Sequence, residues 1–305
     1  MKFQQTILSM SFLLLQLPLL VVEPSSFNDR NITSHTSVIN KMRDSSNTSM
    51  VGNIIRRGSS ISIVGDICSS YWPSSSCNVG FGFYKLCSSQ DGPDEFVVGI
   101  SFFKPRVATL VWSTNRYYSK PSSVLITNEG KFVLRMKPDD KEEPLIPNIQ
   151  EPVAFAMMHE NENFVLYGSE SQIVWQSFDY PTHTVLGGQQ LRAGFDLVSK
   201  GSRLSVEEIS GSVEIHAQSS ESVRVSIISD ALLEGSLRRL IFLSLSTTGD
   251  LYLSGSDGVV LKYIYLNKNH QQRQQGGTSI VKEDDYLYMA RLSSYGYFML
   301  EYVAR

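Results

Sequence analysis

Four runs of this chain share one form: KFVLR at 131–135, NFVLY at 163–167, DLYLS at 250–254 and YFMLE at 297–301 each follow a polar, turn-prone stretch. Their alternation has a period of two, which puts successive side chains on opposite faces of an extended strand. Each run therefore reads as a half-buried β-strand entered from a tight turn. The irregular intervals between copies argue against a strict solenoid and favour a pseudo-symmetric β fold with variable loops. The pairing recurs as well: DLYLS, the turn GSDG at 255–258 and VVLKYIYL repeat the order of NFVLY, GSESQ and IVWQSF.

Further strand-like runs are FGFYK at 81–85, FVVGISFF at 96–103, TLVWS at 109–113, SVLIT at 123–127 and QIVWQ at 172–176, separated by Gly, Pro, Ser and Asn clusters. Charged residues are 19% of the chain, below the roughly 25% of an average globular protein, and long amphipathic helices are hard to find. The fold class expected is all-β, and 305 residues leave room for two units. Residues 23–58 are too poor in hydrophobes to offset the entropy of ordering and read as a flexible lead-in. The segment KPDDKEEPLIPN at 137–148 reads as a charged surface loop, and NKNHQQRQQGGT at 267–278 as a low-complexity loop. A net charge of −3 supplies no broad basic field for a phosphate backbone, so nucleic acid is not an expected partner.

The N-terminus carries Lys2, an apolar run from Ile7 to Val22 broken by Gln16 and Pro18, and then a polar stretch. That is the form of a secretory signal peptide over residues 1–22, with an uncleaved signal anchor as the alternative. The sequons at Asn31 and Asn47 lie in the polar segment that follows and are candidate glycosylation sites. Cys68, Cys77 and Cys87 are odd in number, so at most one disulfide can form among them. No CxxC or paired His accompanies them, and no metal site is expected.

The run IVWQSFDYPTHTVLGGQQL at 173–191 closely resembles the VWQSFDYPTDTLLPGQ signature of plant bulb-type (G-type) lectin domains, found in S-locus glycoproteins and lectin receptor-like kinases. TLVWSTNR at 109–116 is similar to the family's TVVWSANR, and YWPSSSCNVGFGFYKL at 71–86 to its SWLSPSGDFAFGFYQL. The resemblance implies a β-prism II, three four-stranded sheets around a pseudo-threefold axis, with Trp72, Trp112 and Trp175 facing the shared core. It covers residues 59–195, and a second, degenerate unit is expected over 196–305.

Mannose-binding members carry a site written Q-x-D-x-N-x-V-x-Y, and the nearest copy here is HENENFVLY. It places His159, Asn161, Asn163, Val165 and Tyr167 at the five positions, which a period of two would bring to one face. Asn161 in place of Asp gives up a charge-assisted acceptor. TNEGKFVLR, STTGDLYLS and SSYGYFMLE keep little of the pattern. His183 stands where the family's PTDT corner has Asp, and as an exposed loop residue it is expected to loosen that corner.

No HExxH, GxSxG, GxxxxGK[ST] or kinase HRD/DFG set occurs in the chain. The expected function is non-enzymatic and without cofactor: a secreted lectin-like glycoprotein binding mannose-type glycans through a partly eroded site. The alternative is a degenerate lectin that recognises a cell-surface protein as a receptor-ectodomain fragment or decoy.

Overall fold

The computed structural model describes residues 53–63, 70–86, 94–103, 108–118, 122–209, 212–219, 225–229, 240–267 and 286–304. The signal-like segment 1–22, Asn31, Asn47, Cys68, Cys87 and the stretch 268–278 lie outside the described residues. Cys77 is buried, packed with Tyr71 and Phe103.

Among the described residues the chain is built from strands, joined in antiparallel sheets of two matching sets. In the first set, β1 (Ile54–Arg56), β2 (Ser60–Ser62) and β3 (Tyr71–Pro73) each begin a different sheet. Three triplets then join them in reverse order. β4 (Val79–Lys85), β5 (Phe96–Phe103) and β6 (Ala108–Tyr118) add to β3; β7 (Ser122–Ile126), β8 (Phe132–Met136) and β9 (Lys141–Pro144) add to β2. β10 (Phe155–Met158), β11 (Phe164–Tyr167) and β12 (Ile173–Gln176) add to β1, completing the expected β-prism.

The second set repeats this order. β13 (Thr184–Leu186), β14 (Gln190–Arg192) and β15 (Asp196–Ser199) begin its three sheets. β16 (Ser202–Ile209), β17 (Ser212–Ser219) and β18 (Val225–Ser229) join β15, and β19 (Ile241–Leu245), β20 (Leu251–Gly255) and β21 (Val260–Tyr265) join β14. β22 (Tyr286–Leu292) and β23 (Phe298–Ala304) join β13.

Each sheet of the first set sends one phenylalanine to the centre: Phe81 from β4, Phe132 from β8 and Phe164 from β11. Phe81 and Phe164 stack with centroids 4.0 Å apart, and Phe132 lies 5.9 Å from Phe81 and 6.0 Å from Phe164. Trp72 stacks beside Phe164, while Trp112 meets Trp175 edge to face at 5.7 Å. All three tryptophans are buried in this core. The core of the second set is almost wholly Leu, Val and Ile, with Phe298 its one fully buried aromatic.

The two cores share a wall. In the sheet of β13, β22 and β23, Leu186, Leu287 and Met289 belong to the first core, whereas Val185, Ala290 and Leu292 belong to the second. Alternation by two lets one sheet serve both sides, and a sheet covered on both faces needs apolar residues at successive positions. The run LYMARL meets that need.

Three expectations are corrected. The lead-in ends earlier than 58, because Ile54–Arg56 pairs with β10 and Ile55 is part of the core. Two basic residues and a glycine that follow had hidden this short apolar pair. Within 137–148, Lys141–Pro144 is an edge strand paired with β8 rather than a loop, with an Arg135–Glu142 ion pair across the two strands, and Leu145 and Ile146 are buried behind it. Charge and Pro are what protected sheet edges carry.

The third concerns His183, which is half-buried. The corner around it is tied rather than loose: its carbonyl accepts from Leu292 N at 2.9 Å, Thr182 O accepts from Val198 N at 2.7 Å, and Thr182 Oγ1 accepts from Ser113 N at 3.3 Å. Burial pushes the His183 pKa down to about 4; a hydrogen bond with the Leu110 backbone opposes this and the nearby Arg291 adds to it.

Phe164→Ala should lower unfolding free energy by about 3–5 kcal/mol, as large-to-small changes of buried aromatics do, read by denaturant titration. For His183 the unfolded chain binds a proton that the folded chain refuses, so its stabilising effect is complete above pH ~6.5 and fades as pH falls toward about 4. His183→Gln should therefore remove on the order of 2 kcal/mol of the acid-side loss, seen as a flatter profile of melting temperature between those pH values.

Candidate functional site

Among the described residues, several hairpins of both sets are closed by one type of five-residue turn. Its first N–H donates to the carbonyl of the fifth residue, and the fourth N–H donates back to the first carbonyl. Thr127–Lys131, His159–Asn163, Ser246–Asp250 and Ser293–Tyr297 all show both bonds. The fourth residue must adopt a left-handed conformation, which glycine does without steric cost: Gly130, Gly249 and Gly296 have φ of 84°, 88° and 83°. In the second of these turns Glu162 takes the position instead, at φ 66°.

That turn differs in a second way. Thr127, Ser246 and Ser293 each use their hydroxyl to accept the N–H of the fifth residue, at 3.1, 2.8 and 3.0 Å. His159 has no hydroxyl; Asn161 Oδ1 accepts the Asn163 N–H at 3.3 Å instead. The imidazole is left to face outward, where its Nε2 lies 2.9 Å from the Tyr167 hydroxyl. A third interaction pins the turn. The Glu160 carboxylate accepts from Ser76 N at 2.6 Å and Ser74 Oγ at 3.1 Å, and it also meets Ser76 Oγ, joining the turn to the loop after β3.

The outer face of the sheet has two rows. Ile54, Met157, Val165 and Gln176 are cross-strand neighbours in one, and Arg56, Phe155, Tyr167 and Ile173 in the other. Tyr167 stacks on Phe155 with centroids 4.7 Å apart and an interplanar angle of 13°. His159 and Tyr167, reaching toward each other from either side of the Val165 row, leave Val165 only 2% exposed. Burial holds the His159 pKa below its ordinary value and raises that of Tyr167, favouring the uncharged form of both.

The five residues anticipated from the sequence do not lie along one strand. β11 begins at Phe164, so His159, Asn161 and Asn163 belong to the turn, and the hairpin rather than strand period brings His159 to Tyr167. Asn161 is exposed, and His159 and Tyr167 are half-buried. Asn163 is turned inward: its Nδ2 donates to Gln176 Oε1 at 2.9 Å, and its Oδ1 accepts from Ser177 Oγ and Phe178 N, both at 3.2 Å. Sequence reasoning missed Phe155, Glu160 and Gln176. Only the cross-strand register reveals the first and last, and only the loop contact reveals Glu160. Among the described residues no three His, Cys, Asp or Glu side chains gather as metal ligands, and no helix is long and apolar enough to cross a membrane.

Asn163 thus holds β11 to the 3-10 turn Ser177–Asp179. Asn163→Ala should cost about 2–3 kcal/mol of stability by leaving buried groups unsatisfied, measured by chemical denaturation.

No protein-family model matches the chain. The rice (Oryza sativa subsp. japonica) G-type lectin S-receptor-like serine/threonine-protein kinase LECRK1 is 27% identical over 252 residues, covering 75% of this chain and 28% of the relative. The Arabidopsis thaliana G-type lectin S-receptor-like serine/threonine-protein kinase RLK1 is 28% identical over 179 residues, 52% of this chain and 21% of the relative. The chain thus spans between a fifth and a third of the length of these relatives. Among solved structures, the fetuin-binding, two-domain lectin of Scilla campanulata aligns with 74% of this chain and 97% of its own at 12% identity, with a TM-score of 0.28. With the strand order and the hairpin described above, the similarity to the kinases identifies a bulb-type (G-type) lectin domain in this chain.

Proposed function

We propose that the chain is a non-enzymatic carbohydrate-binding protein whose ligand is a mannose-type hexose, held on the β10–β11 hairpin. The observation that supports this reading is the outward meeting of His159 and Tyr167 at 2.9 Å beside exposed Asn161. A hexose offers hydroxyls to these three groups and a C–H face to the apolar floor of Met157 and Phe155. The carboxamide of Asn161 gives and accepts neutral bonds, whereas an Asp would supply stronger charge-assisted ones. The Tyr167 hydroxyl is already bonded to His159, so only its remaining donor or acceptor role is open to a sugar.

The site is therefore weak by construction. Neutral hydrogen bonds contribute only about 0.5–1.5 kcal/mol each, and three of them correspond to a dissociation constant on the order of millimolar. The chain would be secreted, with residues 1–22 as its signal peptide and glycans at Asn31 and Asn47, in keeping with the receptor names of its relatives. The chain would carry one lectin domain, expected over 59–195, and a degenerate partner, expected over 196–305; the pairing of β13 and β14 with β22 and β19 moves the divide ahead of Thr184.

A second reading is favoured by one observation: Asn163 and Val165, two of the five positions, are buried and serve the fold. It makes the chain a degenerate lectin that recognises a cell-surface protein. Titration of the purified protein with methyl α-D-mannopyranoside separates the two. Millimolar binding that weakens about twofold to tenfold in Tyr167→Phe and in Asn161→Ala supports the hexose site. Silence toward mannosides on a glycan array, with the protein folded, favours the protein-binding reading.

A further inference from the structure

A cleft of about 690 Å³ opens between the two sheet sets, lined by residues of both. Its volume falls within the range of small-molecule sites. Two aromatic rings stand open in it. Tyr180 is 53% exposed and lies parallel to Trp175, with centroids 5.8 Å apart and an interplanar angle of 8°. Phe195 is 55% exposed, with the Arg192 guanidinium 5.9 Å from its ring centre. Neither ring fills a core, and unlike aromatics exposed singly elsewhere on the surface, both line one concave site.

The walls are mainly apolar, with polar side chains of both charges set into them. Asn115 uses its Oδ1 to accept from Ser113 Oγ at 2.9 Å, and its Nδ2 makes no hydrogen bond among the described residues. Asp179 accepts from Gln176 at 2.9 Å and retains acceptor capacity on its carboxylate. Arg116 and Arg192 line the cleft together with Asp179 and Asp196, the last of which pairs with Arg203 at 2.8 Å. A polyanion would meet the two carboxylates and a polycation the two guanidinium groups. A neutral ligand rich in hydroxyls satisfies both. The cleft is also held in shape, because Trp112 Nε1 donates to Tyr180 O at 2.7 Å and Ser113 N to Thr182 Oγ1 at 3.3 Å across the junction.

We propose that this junction cleft is a saccharide site separate from the hairpin, taking neutral oligosaccharides whose pyranose rings pack on Tyr180 and Phe195 while Asn115, Asp179 and Arg116 bond their hydroxyls. A pyranose presents an apolar C–H face and an equator of donors and acceptors, which is the pattern of this lining. The site does not depend on His159 or Tyr167.

Because Trp112 and Trp175 line the cleft, occupancy should alter tryptophan emission. The full chain is titrated with mannotriose, cellotriose and chitotriose, three neutral probes of different linkage. The expected result is a saturable change in emission with at least one, weakened tenfold or more by Tyr180→Ala and by Phe195→Ala. Both side chains are more than half exposed, so the melting temperatures of these variants should stay near that of the parent and report that the fold is intact. No response to any of the three, or a response that survives both substitutions, overturns the proposal. The hairpin reading fails differently: mannoside binding would be indifferent to Tyr167→Phe, whatever the tryptophan signal does.

Discussion

The first prism depends on one contact, the stack of Phe81 on Phe164 at 4.0 Å with Phe132 against both. Among the described residues the strand-to-strand backbone hydrogen bonds run within each sheet rather than between sheets. What holds the sheets face to face is burial of one ring from each, together with Trp72 beside them. Aromatic rings suit a threefold junction because each brings a large apolar area with few rotatable bonds. Position matters as much as size: Phe132 and Phe164 are the first strand residues after their turns, so turn geometry sets where each ring enters the core.

The same dependence on the turn explains the candidate site. In three of four equivalent turns a Thr or Ser hydroxyl is consumed by its own backbone, and no side chain at that position is left for a ligand. Where His159 replaces the hydroxyl, the side chain turns outward and meets Tyr167. Among these four turns, this hairpin alone presents its first side chain to the outer face of its sheet. The cost is visible in Glu162, a non-glycine residue in a left-handed conformation.

Most of the strands could be read from alternation, and the corner at 173–191 from its aromatic and turn residues. What escaped was set by neighbours distant in sequence. Asn163 has the alternation of an outward residue, yet the Ser177–Asp179 turn folds over it and takes up its amide. His183 looked like an exposed loop residue, but β6 and β22 close around it from opposite ends of the chain. The edge strand at Lys141–Pro144 was concealed because charge and Pro mark a loop and a protected sheet edge equally well. The second core is aliphatic but for Phe298, so little beyond its strand rhythm was legible.

By itself, the order of residues determined that this chain makes short strands with tight turns, and which side of most strands is apolar, because alternation and left-handed turn positions act over a few residues. Tertiary structure alone decided that one sheet would serve two cores, that Asn163 would face inward while His159 faced Tyr167, and that two exposed rings would flank a cleft. Those outcomes rest on contacts between segments tens of residues apart or more, whose geometry no local pattern encodes.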